Sequence, residues 1–134
     1  MNSFISDLHI HSRFSMATSK QLTVPHLCGW AMVKGINVLG TGDFTHPKWR
    51  QELRDNLVFD EETGFYRPTA SPEPVFPDLA SSPARPPYFC LQTEISSIYK
   101  RGGKVRKVHN LVFMPTLEDA DRFSEKLGQI GNIN

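Results

Sequence analysis

Apolar and polar residues alternate at the start of the chain in the manner of a β-strand. The alternation covers "FISDLHIHS", residues 4 to 12, and predicts a strand that ends near two histidines. The next segment, "TVPHLCGWAMVKG", predicts a helix with Thr23 as N-cap, Pro25 in the first turn and Gly35 as the stop. Together the two segments predict a first β/α unit.

A second β/α unit follows directly. The compact apolar run "INVLGTGDF" predicts a strand that ends at Gly42. The segment "THPKWRQELRDNL" then predicts a helix that begins with Thr45 as its cap and Pro47 in its first turn.

Residues 60 to 87 differ in composition from the rest of the chain, since they hold seven of its ten prolines. Proline lacks a backbone N–H and disfavours helix interiors and central strands. We therefore expect an insertion or loop that packs poorly.

Regular structure is predicted again from residue 88 onward. "YFCLQTEISSIYKRGGKVRKVHNLVFMP" predicts two strands that turn at Gly102 and Gly103. The last segment predicts a helix capped by Thr116, with an apolar stripe of Phe123, Leu127 and Ile130.

Strands that alternate with helices indicate an α/β fold with parallel strands, of a size typical for one domain. The net charge of +1 favours no particular partner.

Cys28 and Cys90 lie in apolar surroundings without metal-site spacing, which predicts core thiols. No stretch approaches the roughly 20 apolar residues of a membrane span, and no leader is evident, so we expect a cytoplasmic protein without a membrane partner.

Polar residues cluster where the predicted strands end. In parallel α/β sheets these ends share one edge, and ligands bind there. Imidazoles and carboxylates are the ligands of zinc, manganese and iron, and a cluster of such ions hydrolyses phosphate esters. The candidate ligands are His9, His11, Asp43, His46, Glu94 and His109.

Several of these residues have alternative interpretations. His26 lies within a predicted helix and is interpreted as structural. His46 could simply flank a helix start, and Asp43 could bond loop amides. A run of basic residues could form a solvated hairpin or, if the substrate is DNA, contact the DNA phosphates. The run comprises Lys100, Arg101, Lys104, Arg106 and Lys107.

The motifs "DLHIHS", "TGDFTH", "TEIS" and "VHNLVF" resemble those of the polymerase-and-histidinol-phosphatase (PHP) family of metal-dependent phosphoesterases. The longer strings "HIHSRFSMATSK", "LGTGDFTHPKW", "IYKRGGKVRKVHN" and "LGQIGNI" resemble the N-terminal part of the endonuclease Q group, which cuts DNA beside deaminated bases. The resemblance covers most of the chain apart from the proline-rich segment.

The resemblance implies a distorted barrel of seven β/α units holding up to three divalent ions (Zn, Mn, Mg or Fe). On the matching positions it implies that His9, His11, Glu94 and His109 bind metal. Asp43 and His46 are separated by two residues, whereas the common PHP motif has them adjacent, so which of the two binds metal stays open. Asp7 is expected to orient ligands rather than bind metal.

The resemblance also implies that the chain is the N-terminal part of a longer PHP domain, because the family's later ligands have no counterpart after His109. The leading hypothesis is a DNA endonuclease whose N-terminal part alone is weak or inactive. The alternatives are a phosphatase acting on a small phosphomonoester and a non-catalytic binding module. Expected partners are DNA, the C-terminal remainder of the polypeptide and a second copy of the fragment.

Overall fold

The computed structural model describes residues 3–78 and 83–131, which form a mixed arrangement of strands and helices. In chain order the elements are β1 Ser6–Asp7, α1 Val24–Lys34, β2 Val38–Gly40, α2 Pro47–Asn56, β3 Leu57–Asp60, β4 Phe65–Pro68, β5 Tyr88–Arg101, β6 Lys104–Met114 and α3 Leu117–Ile130. The predicted α/β class is correct, and the sheet is open. None of the helices in the described ranges has the length and hydropathy to cross a membrane.

The sheet has the order β1-β2-β5-β4-β3, with β6 paired to β5. Strands β1, β2 and β5 are parallel, whereas β3, β4 and β6 pair antiparallel with their neighbours. Within the described residues, the prediction of parallel strands therefore holds for β1, β2 and β5; α1 connects the first two, whereas α2, β3 and β4 lie between β2 and β5.

Helix ends follow the predicted caps in two of three cases. The Thr23 hydroxyl accepts the His26 amide at 3.4 Å, and Gly35 ends α1 with a φ of +70°. The Thr116 hydroxyl accepts the Asp119 amide at 3.1 Å at the start of α3. The hairpin turn at Gly102 and Gly103 is also confirmed, because both have a positive φ and join β5 to β6.

The predicted cap of α2 is wrong. The N-cap is His46, whose Nδ1 accepts the Trp49 amide at 3.4 Å. The hydroxyl of Thr45 instead lies 3.4 Å from that of Thr93 on β5. Threonine has the higher intrinsic preference for an N-cap, but here its hydroxyl is oriented toward the neighbouring strand.

The expectation of an irregular, poorly packed segment at 60 to 87 is also wrong in part. Residues 60 to 67 contain no proline, and β4 begins among them, ends at Pro68 and pairs with both β3 and β5. Tyr66 is buried, and its hydroxyl accepts the Leu117 amide at 2.8 Å. The part beyond β4 packs on α1 so closely that a Cβ on Gly29 would lie 2.3 Å from the carbonyl oxygen of Glu73. Residues 79–82 of the predicted insertion lie outside the described residues.

The core lies between the helices and the sheet and includes Cys28, Phe44, Trp49, Leu53, Phe89 and Leu91. Burial raises the pKa of Cys28 to about 12, in agreement with a core thiol, whereas Cys90 is only half-buried. The stripe predicted for α3 is correct at Phe123, which packs against the core, and wrong at Ile130. The buried residues are Leu117, Ala120 and Ser124, and Ile130 is 78% exposed.

Candidate metal centre

The two histidines of the H-x-H motif lie in an extended loop rather than on the first strand. Strand β1 ends at Asp7, so His9 and His11 follow it. Their rings are nevertheless neighbours, with centroids 5.7 Å apart. Asp7 supports this loop, because its Oδ1 accepts the backbone N–H of His9 at 3.3 Å.

Glu94 lies in the middle of β5 rather than at a strand end. The parallel pairing of β5 with β2 stops at Cys90, and beyond that residue β5 continues as a two-stranded ribbon with β6. Glu94 therefore still lies just past the edge of the parallel sheet, beside the loop that follows β1. His109 on β6 is diagonal to it, since Glu94 pairs with Leu111 and His109 with Ser96.

Ligand atoms of His9, His11 and Glu94 lie within 4.8 Å of one another. The Nε2 atoms of His9 and His11 are 2.6 and 3.6 Å from one carboxylate oxygen of Glu94, and Nδ1 of His109 contacts the other oxygen. Hydrogen bonds from His109 and His9 hold the pKa of Glu94 below its ordinary value. The geometric convergence predicted for His9, His11 and Glu94 is thus present.

Asp43 contacts the cluster through His11. Its Oδ1 lies 3.1 Å from His11 Nδ1, and its Oδ2 accepts the backbone N–H and the hydroxyl of Ser12 at 2.6 and 2.8 Å. A carboxylate bonded to one ring nitrogen fixes the tautomer and leaves the other nitrogen as an electron-pair donor. The His11 nitrogen that is left, Nε2, is the one near Glu94.

His46 has a different environment. Its Nδ1 caps α2, and its ring stacks on Phe14 with centroids 4.5 Å apart. Desolvation lowers its pKa, although the charge of Asp43 acts in the opposite direction. Within the described ranges, no hydrogen bond or ion pair joins His46 to His9, His11 or Glu94.

Gln92 is a residue of the site that sequence reasoning missed. It is fully buried, and its Oε1 accepts the backbone N–H groups of Gly42 and Ile10 at 3.2 and 3.4 Å. It therefore ties the loop after β2 and the loop after β1 to strand β5. No sequence signal marks it, because its role depends on three segments that meet only in the folded chain.

Gly42 allows the two loops to approach each other. Its φ is +67°, and a Cβ there would lie 2.7 Å from the carbonyl oxygen of Ile10 and 2.9 Å from Cα of His11. The next residue, Asp43, also has a positive φ of 43°, which aspartate tolerates better than most residues. This turn is held from the other side by Trp49, whose indole N–H donates to the carbonyls of Thr41 and Gly42.

The arrangement has the composition of a transition-metal site. Two converging imidazoles and one carboxylate, with the imidazole of His109 in contact with that carboxylate, are donors that zinc, iron and manganese accept, with bonds of about 2.0–2.2 Å. The site is also open to large ligands, since the side chains of His9 and His109 are 51% and 48% exposed. The basic run predicted as a phosphate contact is exposed on the β5–β6 hairpin and does not enter the cluster.

Comparison with known proteins relates this fold to DNA-processing enzymes. No family model matches the chain. Two solved structures do, and both are endonuclease Q enzymes. The chain is therefore related in structure to endonuclease Q.

The first of these structures is endonuclease Q in complex with a 27-mer duplex substrate that has an abasic lesion at the active site. It matches with a TM-score of 0.66 and 28% identity over 95% of this chain and 26% of its own. The second is the lesion-specific endonuclease PfuEndoQ of Pyrococcus furiosus, with a TM-score of 0.65 and 29% identity over 92% of this chain and 25% of its own. The chain thus spans about a quarter of their length.

One curated protein also matches in sequence, an uncharacterized protein of Methanocaldococcus jannaschii. The two are 50% identical over 48 residues, which is 36% of this chain and 6% of that protein.

Proposed function

We propose that this chain is the N-terminal part of a metal-dependent phosphoesterase domain that hydrolyses DNA phosphodiester bonds near deaminated or otherwise damaged bases. The observation that carries the proposal is the cluster of His9, His11 and Glu94 on a fold similar to two endonuclease Q structures. His109 extends this cluster through its contact with Glu94.

In this proposal, some residues of the chain would bind the ion and others would position those ligands. His9, His11, Glu94 and His109 hold the ion, and Asp43 keeps His11 in the tautomer that presents Nε2. A bound divalent ion supplies a Lewis acid for the phosphodiester and makes hydroxide accessible near neutral pH. Gln92 and Gly42 keep the two ligand-bearing loops at a fixed separation. Asp7 holds the backbone of His9.

Titration calorimetry on the 134-residue chain with Mn²⁺ and Zn²⁺ tests the metal assignment. We expect His9→Ala, His11→Ala and Glu94→Ala each to weaken binding strongly, and His26→Ala to leave it unchanged. His26 is a matched control, because it is bonded to the Trp30 indole on α1 and lies outside the cluster. Equal effects of His26→Ala and His9→Ala would contradict the assignment.

A cleavage assay tests the reaction. A duplex with a single deaminated base is incubated in manganese with the 134-residue chain and with a longer polypeptide that continues it. We expect cleavage beside the lesion by the longer polypeptide and little by the chain alone, because an incomplete ligand shell holds its ions loosely. Hydrolysis of a small phosphomonoester without DNA cleavage would support the phosphatase alternative. The absence of both reactions would support the non-catalytic module.

A further inference from the structure

The outer part of the β5–β6 ribbon extends away from the rest of the sheet. We call residues 95 to 110 the arm. Within the arm, β5 and β6 pair with each other, and every residue from 96 to 110 is exposed. At about 3.3 Å per residue, the seven residues from Ile95 to Arg101 span roughly 23 Å. Both faces of the arm are therefore accessible to a ligand.

The register assigns the basic residues of the arm to two faces. Directly paired residues lie on the same face of a ribbon, and successive residues alternate. Glu94, His109 and Lys107 share one face with Lys100, as the Glu94–His109 contact confirms. We call this the metal face. The opposite face holds Arg101, Lys104 and Arg106, beside Tyr99.

The charge of the arm is not compensated. Residues 95 to 117 contain no aspartate or glutamate. In the described ranges, the ion pairs of the chain involve none of the five basic residues. Exposed, unpaired cations beside an aromatic ring suit contact with the phosphates and bases of a nucleic acid.

We propose that the two faces of the arm contact different strands of a DNA duplex. The metal face, through Lys100 and Lys107, holds the strand that is cut. The opposite face, through Lys104 and Arg106 together with Arg101, contacts the complementary strand. The inference rests on the proposed function and adds which residues of the arm contact each strand of the duplex.

Distances along the ribbon support this division. Lys107 is two residues from His109 on the same face, or about 7 Å along the strand. A DNA strand with one phosphate at the cluster therefore has its next phosphates within reach of Lys107 and Lys100. Lys104 and Arg106 point away from that strand. A two-stranded ribbon fits the major groove, which is about 12 Å wide, so its two faces can approach the two flanking backbones.

Two charge-matched double variants test the division on the 134-residue chain. Lys100→Gln with Lys107→Gln alters the metal face, and Lys104→Gln with Arg106→Gln alters the opposite face. Each removes two positive charges from exposed positions of the same hairpin. Binding to a single-stranded oligonucleotide and to its duplex is measured by fluorescence anisotropy over a range of salt concentrations, with EDTA to prevent cleavage.

We expect the metal-face variant to reduce the slope of log affinity against log salt on both ligands, by about 1 to 2 units. The opposite-face variant should reduce it by a similar amount on the duplex only. An equal loss on single strand and duplex from the opposite-face variant would overturn the division, and so would an unchanged slope from the metal-face variant. An unaltered chain that binds manganese but neither oligonucleotide would overturn the DNA assignment as well.

Discussion

Replacement of Gly42 by alanine tests whether the close approach of two loops builds the metal centre. Gly42 has a φ of +67°, where an L-residue costs about 1–2 kcal/mol. The new Cβ would also lie 2.7 Å from Ile10 O and 2.9 Å from His11 Cα. Both contacts are with backbone, so the loop itself must move. Overpacking of this kind costs about 1–3 kcal/mol.

Gly64→Ala is the matched control for Gly42→Ala. Gly64 has a φ of +74°, and a Cβ there would meet no atom within 4 Å. It therefore carries the conformational cost without the steric one. We expect the free energy of unfolding to fall by about 1–2 kcal/mol in Gly64→Ala and by about 2–5 kcal/mol in Gly42→Ala.

Two measurements separate stability from site geometry. Urea unfolding in EDTA gives the free energy of unfolding of each variant. Calorimetry with Mn²⁺ in the absence of denaturant gives the affinity. Because the clash displaces His11, we expect Gly42→Ala to bind Mn²⁺ about 10- to 100-fold more weakly and Gly64→Ala to bind as the unaltered chain does. Unchanged affinity in Gly42→Ala would refute the argument that this approach fixes the position of His11.

Three further changes have defined outcomes. Asp43→Asn removes the charge that orients His11 and should weaken Mn²⁺ binding about 10- to 100-fold in calorimetry; full affinity would contradict the contact's role. Gln92→Leu leaves two loop amides without an acceptor and should cost about 1–3 kcal/mol per amide in urea unfolding, whereas Gln51→Leu on the exposed face of α2 should cost little. Burial raises the pKa of Cys28 to about 12, so the folded chain keeps a proton that the unfolded chain releases near pH 9. Stability should therefore fall between pH 9 and 12, by up to about 4 kcal/mol from Cys28, and Cys28→Val should show a smaller fall in urea midpoint from pH 8 to 10.5, since Cys90 and Tyr66, whose pKa values burial also raises, remain.

The helix caps and the hairpin were predictable because they depend on residues close in sequence. Thr23, Gly35 and Thr116 act within one turn of the helices they bound. The convergence of the histidines with Glu94 was predictable for a different reason. The α/β pattern sets which strand ends meet, even though the predicted end of β1 was inaccurate and Glu94 lies within β5 rather than at its end.

Features that depend on tertiary contacts were missed. Strand β4 was missed because residues 60 to 87 were judged by their overall composition. All seven prolines of that segment lie in residues 68 to 87, and residues 60 to 67 have none. Preference alone selects Thr45 over His46 as a cap, whereas the helix begins at Pro47, directly after His46, and the Thr45 hydroxyl lies near Thr93 instead. Gln92 has no local pattern at all, since its partners lie 50 and 82 residues away.

The separation of the ligands along the chain has a consequence for folding. His9 and Glu94 are 85 residues apart, so their approach requires closure of most of the polypeptide into one loop. Contacts of this range form late, after the local helices and the β5–β6 hairpin. On the proposed metal assignment, the ion would have no complete site until β1 has paired with β2 and β2 with β5. The onset of tight Mn²⁺ binding during refolding would then report when these long-range contacts form.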